Sequence, residues 1–564
     1  MRFCTTSRYF TTSCAAVVLA IAFFTADAFG QRRPRIDFRN LPEATPSSEA
    51  DRLRLEEWQK APKTRLAPGE LDQLVAEELR SATLKPAPVA SDENFVRRVT
   101  LDLTGRLPLP ADITEFIADK NSDKRARLID RLLASEEYAQ HWSRYWRDVV
   151  TANLTDQRAI LYVQPFEYWL QEQFAKNTPW NEIVRAMLTA EGQIEGSEPT
   201  KNGAAYFLAS HFGPDAANER AAETARIFLG IQIQCAQCHD HPFDQWKRVQ
   251  FHEFAAFFGR MRERPIRNAG QGFGMQLISV RFGEHLMPDK KDPEKRFITH
   301  PRFLTGATPG KNVDDQDRRK ALADYITSTD NFYFAAAYVN RIWGVLMGQS
   351  FYEPVDDMGP QKEVVMPKVL ARLAASFQAS NYDIRRLFRD IMTSDTYQRQ
   401  IRLGEAASQH MYFSAAYPTR LSADALWNSL TGVLGRMGPS INTRYFGRRN
   451  GLEALFKQEF RYDPSTPPDE VEGSIPQALF LMNNPVINDK IRAVGTNLLA
   501  RILKAYPNDD DALEMVYLRV LGRKPTAKER ERCRAYLKEV GDRTEAFEDI
   551  LWVLLNSTEF QTKR

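Results

Sequence analysis

Cysteine is scarce in this chain, five among 564 residues, and two of the five, Cys4 and Cys14, fall close to the N-terminus. Too few remain to frame a disulfide-stapled scaffold. Charge of one sign is lacking too. Lysine and arginine number 76 against 73 aspartates and glutamates, a net charge of +3, so neither a nucleic-acid footprint nor an electrostatic membrane surface is expected. Long apolar runs are also missing. The run from Ala15 to Phe24 is about half the ~20 residues that a bilayer span requires, and no later stretch is long enough either. No transmembrane anchor is therefore expected once this segment is removed. The chain has no Gly-x-Ser-x-Gly nucleophile elbow and no carboxylate pair tied to a cleft, which puts a hydrolase last among the readings.

What the N-terminus does contain is Arg2 and Arg8, the apolar run, then Ala26-Asp27-Ala28. This is the order of a positive region, a hydrophobic region and a small-residue cleavage site. Residues 1–28 read as a secretory signal peptide, with the mature chain starting near Phe29 or Gln31 and exported to the periplasm, cell surface or medium. Residues 29–67, rich in proline, arginine and acidic residues, read as a flexible leader. Three cysteines then remain: Cys235, Cys238 and Cys533. The last reads as a semi-buried thiol without function.

The other two fall in Cys235-Ala236-Gln237-Cys238-His239-Asp240-His241-Pro242, with two of the eight histidines. Two thiols two residues apart and followed by an imidazole can add across the vinyl groups of a haem while the histidine takes an axial iron position. Cys235, Cys238 and His239 are thus candidate haem c residues. For the sixth iron position His252 and Met261 rank above His241, which would have to cross a proline-constrained turn; an open position is the third arrangement. Two further readings stay open: a Cys235–Cys238 disulfide, and a polar cluster or metal site of His239, Asp240, His241 and Asp244. The haem reading makes the chain an electron-transfer or redox-sensing protein with a redox partner. The others make it a scaffold or binding protein of the cell envelope.

Elsewhere apolar residues recur at helical spacing. Leu71, Leu74, Val75 and Leu79 form one stripe; Phe95, Val96, Val99 and Leu103 form another between Ser91 and Gly105. Arg97, Arg98 and Asp102 read as the solvated face of that second helix. Tyr138, His141, Trp142, Tyr145 and Trp146 make an aromatic stripe read as core. Ala216 to Leu229, stopped by Gly230, delivers the chain to Cys235. Met275 to Phe282, after the glycine-rich Asn268 to Gly274, is expected to pair with Phe297 to His300 as a hairpin. Asp356-Asp357 reads as a helix cap or as half of a cation site. A unit also recurs in Leu132 to Tyr138, Ile391 to Tyr397 and Leu554 to Phe560: an apolar helix end, a capping serine and an aromatic three residues on. Residues 435–473 read as a surface excursion. The fold class expected is mainly α, a multi-helical two-domain body (68–264 and 301–564) with a small β-hairpin connector at 265–300.

Cys235 to Asp244, Leu101-Asp102-Leu103-Thr104-Gly105, Asn340-Arg341-Ile342-Trp343, Asp356-Asp357, Ser394 to Tyr397 and Gln477 to Pro485 carry a resemblance. Over roughly Leu71 to the end, apart from residues 435–473, the chain resembles the paired cytochrome-like domains of unknown function found in secreted planctomycete proteins. The resemblance implies export and a haem, with no established activity. Two departures stand out. Many relatives carry an additional N-terminal cytochrome module, for which the leader here is too short. Relatives also tend to have paired tyrosines where this chain has Phe251-His252, so His252 is not a ligand that the resemblance supplies.

Overall fold

Helices begin and end where the local chemistry asks for it. In the computed structural model, which describes residues 41–48, 61–195, 202–268, 272–402, 412–437 and 451–563, the helix Asp92–Thr104 starts at Ser91, whose hydroxyl accepts from the Asn94 N–H. It stops at Gly105, whose positive φ of 60° turns the chain out of the helix while its N–H returns to the Leu101 carbonyl. The expected signal peptide, residues 1–28, lies outside the described residues. The recurring unit is present at all three places: Ser135, Ser394 and Ser557 accept at 3.2 Å from the N–H groups of Tyr138, Tyr397 and Phe560, and those three rings are buried. Ser394→Ala is expected to cost about 1 kcal/mol. It would appear as a lower urea midpoint at unchanged slope, and an unmoved midpoint would contradict the cap.

The charged side of Asp92–Thr104 departs from expectation. Arg97, Arg98 and Asp102 are not a solvated face; they are 2%, 7% and 3% exposed. Segments far along the chain cover them. Arg97 donates to the Glu559 and Thr562 carbonyls, Arg98 to that of Leu346, and Asp102 accepts from the Tyr397 hydroxyl and the Lys563 ammonium at 2.7 Å each. The aromatic stripe is core, as expected, at Tyr138, Trp142 and Trp146, with Trp146 stacked on Tyr338 at 5.5 Å between centroids.

The body is mainly α with few β elements. Strands β1 (Gly192–Glu195), β2 (Met261–Asn268) and β3 (Gly272–Ser279) form an antiparallel sheet in the order β1-β3-β2, and β4 (His285–Pro288) pairs with β5 (Arg296–Thr299). The expected pairing of Met275 to Phe282 with Phe297 to His300 does not occur. Met275 lies between Ile194 and Pro265, and Phe297 faces Met287. Strand β2 has no clean alternation to announce it, because Arg262, Glu263, Arg264 and Pro265 occupy an edge, where charge and proline are tolerated.

Two apolar cores result. The larger runs from Leu66 to Phe413, continuous across the β connector, and includes Leu518. The smaller gathers Leu101 with residues from Leu421 to Phe560. The described part of the expected excursion is integral to the second core: the helix Leu452–Phe460 inserts Phe456 and Phe460 into it. Residues 438–450 lie outside the described residues. Among the described residues no helix is long and apolar enough to cross a membrane.

Candidate functional site

The alanine-rich helix Ala216–Leu229 packs closely, and its end is fixed by Gly230 at φ 65°, where a Cβ would meet the Met358 sulfur at 2.7 Å. The Gly230 carbonyl accepts from the Met358 N–H at 2.6 Å, which fastens the loop after Tyr352 against the start of the motif. Ile231 and Ile233 are buried, and a single turn of 3₁₀ helix, Gln234–Gln237, follows. Ala236 is the anchor of that turn, with no exposed surface, while Cys235 and Cys238 are exposed free thiols.

His239 is exposed, and its Nδ1 lies 2.7 Å from the Asp240 carbonyl. A carbonyl only accepts, so Nδ1 carries the proton and Nε2 keeps a free lone pair. That is the tautomer a metal-ligating histidine takes when a backbone oxygen orients it. Phe243, four residues on, leaves 77% of its surface exposed, unusual for a ring of that size. Trp246 is buried and its carbonyl takes the His241 N–H at 2.8 Å, closing the turn. The two thiols and the open imidazole nitrogen are the donor set that attachment of a c-type haem would require.

His239, Asp240, His241 and Asp244 do not gather as a metal-ligating group. The Asp240 carboxylate accepts from the Arg248 N–H at 3.0 Å, a bond that holds it below the usual carboxylate range. His241 Nδ1 accepts from the Phe243 N–H at 3.2 Å, and burial lowers its pKa. Asp244 accepts from the Gln245 N–H at 2.7 Å, and burial raises its pKa. Each side chain serves the backbone of its own turn. Among the described residues no three His, Cys, Asp or Glu side chains gather into a metal-ligating group.

His252, on the helix Arg248–Ala255, has both nitrogens engaged: Nε2 with the Gln237 carbonyl at 3.0 Å and Nδ1 with His285 Nε2 at 2.8 Å. Nε2 must be the donor to the carbonyl, so Nδ1 accepts from a protonated His285 Nε2. Burial pushes His252 down to about 4, with Arg248 adding to the effect, and pushes His285 down to about 3. Sequence reasoning misses His285, which no local pattern ties to a residue 33 positions earlier. Met261 is 3% exposed, opens β2 opposite Ser279 and belongs to the larger core.

Asp356 and Asp357 cap no helix, and their carboxylates go to separate partners. Asp356 binds Arg226 at 2.8 Å and Gln232 at 2.9 Å, with Arg341 at 3.6 Å, whereas Asp357 turns to Lys362. Burial opposes the Asp356 charge, but Arg341 and Arg226 outweigh it and hold its pKa below the usual range. Arg226, Gln232, Asp356 and Cys235 line a polar cavity of about 450 Å³.

Residues 70–263 match the model of a protein of unknown function, PSCyt2 (DUF1549), and residues 318–457 that of a second, PSD1 (DUF1553). Both matches stop short of the helices that begin at Ile475. No curated protein and no solved structure matches the chain.

Proposed function

We propose that this chain, with its two domains of unknown function, is an exported protein that carries one c-type haem on Cys235 and Cys238, with His239 as axial ligand, for electron transfer or redox sensing. The observation that carries the reading is the outward presentation of both thiols beside an imidazole whose Nε2 is free. A haem bound there supplies one-electron chemistry at its iron. The chain's own residues do the positioning: Ala236 pins the turn, the Asp240 carbonyl orients His239, and Phe243 offers an apolar contact. With both His252 nitrogens engaged and Met261 in the core, an open sixth position is favoured, which suits sensing or small-ligand chemistry as well as electron exchange with an envelope partner. Export rests on the signal-like N-terminus.

The test is extraction of protein co-expressed with a cytochrome maturation system. Haem colour is expected to stay with the polypeptide in acid acetone. Cys235→Ser or Cys238→Ser leaves at most one thioether, and His239→Ala alters the spin state without releasing the haem. Complete extraction from the unaltered chain would rule out covalent attachment.

A further inference from the structure

Another cavity lies where the two apolar cores meet, separated from the one beside Cys235 by Ser465, Thr466 and Pro467, which line both. Its volume is about 140 Å³, against roughly 10–15 Å³ for one water in the same measure. A small organic molecule fits. Its lining includes the apolar Leu101, Val355, Leu421, Pro464 and Val471 and the basic Arg341, Arg420 and Arg461.

Four carboxylates also line the cavity, and each has a partner; Glu353 accepts from the Ser350 N–H at 3.0 Å. Asp424 meets Arg147 at 2.8 Å and Lys457 at 2.7 Å, Asp148 meets Arg147 at 2.9 Å, and Asp102 meets Lys563 at 2.7 Å. The three guanidiniums are engaged only in part. Among the described residues Arg420 has no ion-pair partner, and its side chain bonds only Gln561 at 3.3 Å. Arg461 donates to the Thr151 hydroxyl at 2.5 Å and reaches Asp148 at 3.8 Å, and Arg341 donates to the Ser465 hydroxyl at 3.2 Å and reaches Asp356 at 3.6 Å, on an oxygen that Arg226 already holds at 2.8 Å. Each guanidinium has five N–H donors, so each keeps donors beyond the bonds named here. A second, separate observation is Thr419, which lines the same cavity. The residue is 7% exposed, and its hydroxyl oxygen is buried without a hydrogen-bond partner. Buried polar atoms are ordinarily satisfied, so an orphan on a residue of the cavity wall offers a contact to a ligand atom.

We propose that this cavity binds a small organic carboxylate, independently of any haem. Its carboxylate lies among Arg420, Arg461 and Arg341, where the planar fork suits two oxygens at once, and the Thr419 hydroxyl completes the shell. Its apolar part rests on Leu421, Val355 and the prolines, which discriminates against bare inorganic anions.

Calorimetric titration of the full mature chain with acetate, butyrate and benzoate tests this, with benzamide as a neutral counterpart and sulfate as an inorganic anion. At least one acid is expected to bind saturably, and benzamide is not. Arg420→Met and Arg461→Met are each expected to weaken that binding at least tenfold. Because loss of an arginine can upset folding, Thr419→Val provides an independent reading. It removes an unsatisfied hydroxyl at nearly constant shape, so Tm is kept or raised while affinity falls severalfold. Absence of binding by all three acids, equal binding of benzamide, sulfate binding in place of the acids, or full affinity in the variants overturns the proposal.

Discussion

The unfolding free energy is expected to fall by roughly 4 kcal/mol between pH 7 and pH 5 through the His252–His285 pair. Both imidazoles are buried and neutral, pushed from 6.5 to about 4 and about 3 by desolvation, with Arg248 adding to it at His252 and His252 at His285. A base whose pKa is depressed in the folded state stays neutral there while the unfolded chain takes up a proton, so acid favours unfolding. The loss begins near pH 6.5 and grows until the folded pair itself protonates near pH 4. At pH 5 each ring contributes roughly 2 kcal/mol of it. The pair also holds the Gln237 carbonyl inside the Cys-x-x-Cys-His turn, so the same protons loosen the motif. Denaturant unfolding at the two pH values checks the effect, with the double variant His252→Phe/His285→Leu as reference. Removing both imidazoles takes away both partners of the His252–His285 bond but leaves the Gln237 carbonyl without its donor, so the double variant is compared with itself at the two pH values, and its drop from pH 7 to pH 5 should be smaller by that amount. An identical drop in the double variant would contradict the linkage.

Arg226→Met is expected to cost about 3–5 kcal/mol, the range for stripping one partner from a buried ion pair. Arg226 is 7% exposed and sits between Glu223 and Asp356, themselves 5% and 3% exposed. It donates to Glu223 at 2.6 Å, to Asp356 at 2.8 Å and to the Val149 carbonyl at 3.0 Å. Burial opposes its charge, yet the two carboxylates outweigh that and raise its pKa. Methionine fills the volume but leaves two buried carboxylates facing one another, with Arg341 too distant to answer both. The consequence reaches the motif, because Asp356 also takes the Gln232 amide three residues before Cys235. Faster amide hydrogen exchange across residues 231–238 should accompany the loss of stability. A loss under about 1 kcal/mol, as is usual for exposed pairs, would show that the network is not bearing on the fold.

What could be read from the chain alone divides by range. The caps at Ser135, Ser394 and Ser557, the stop at Gly105 and the helix leading to Gly230 were legible because each is decided within about four residues. The reactive cluster at Cys235 to His239 was legible for the same reason. Coverage was not. Arg97, Arg98 and Asp102 have the spacing of a wet helix face, and segments distant in sequence bury them: Glu559 to Lys563, Leu346 and Tyr397. Asp356 looks like a loop carboxylate until Arg226 and Arg341 arrive from two other helices. His285 and the orphan hydroxyl of Thr419 leave no trace in any window, since their meaning lies in neighbours distant in sequence. Strand β2 failed to announce itself because an edge strand has no need of alternation.

The haem reading meets its most direct measurement in the intact mass of the mature chain after co-expression with a cytochrome maturation system, taken with a visible spectrum. The expected mass is that of the polypeptide plus one haem, with a Soret band that survives denaturation. A mass two hydrogens below that of the reduced polypeptide, without a Soret band, would contradict it and leave a Cys235–Cys238 disulfide in its place.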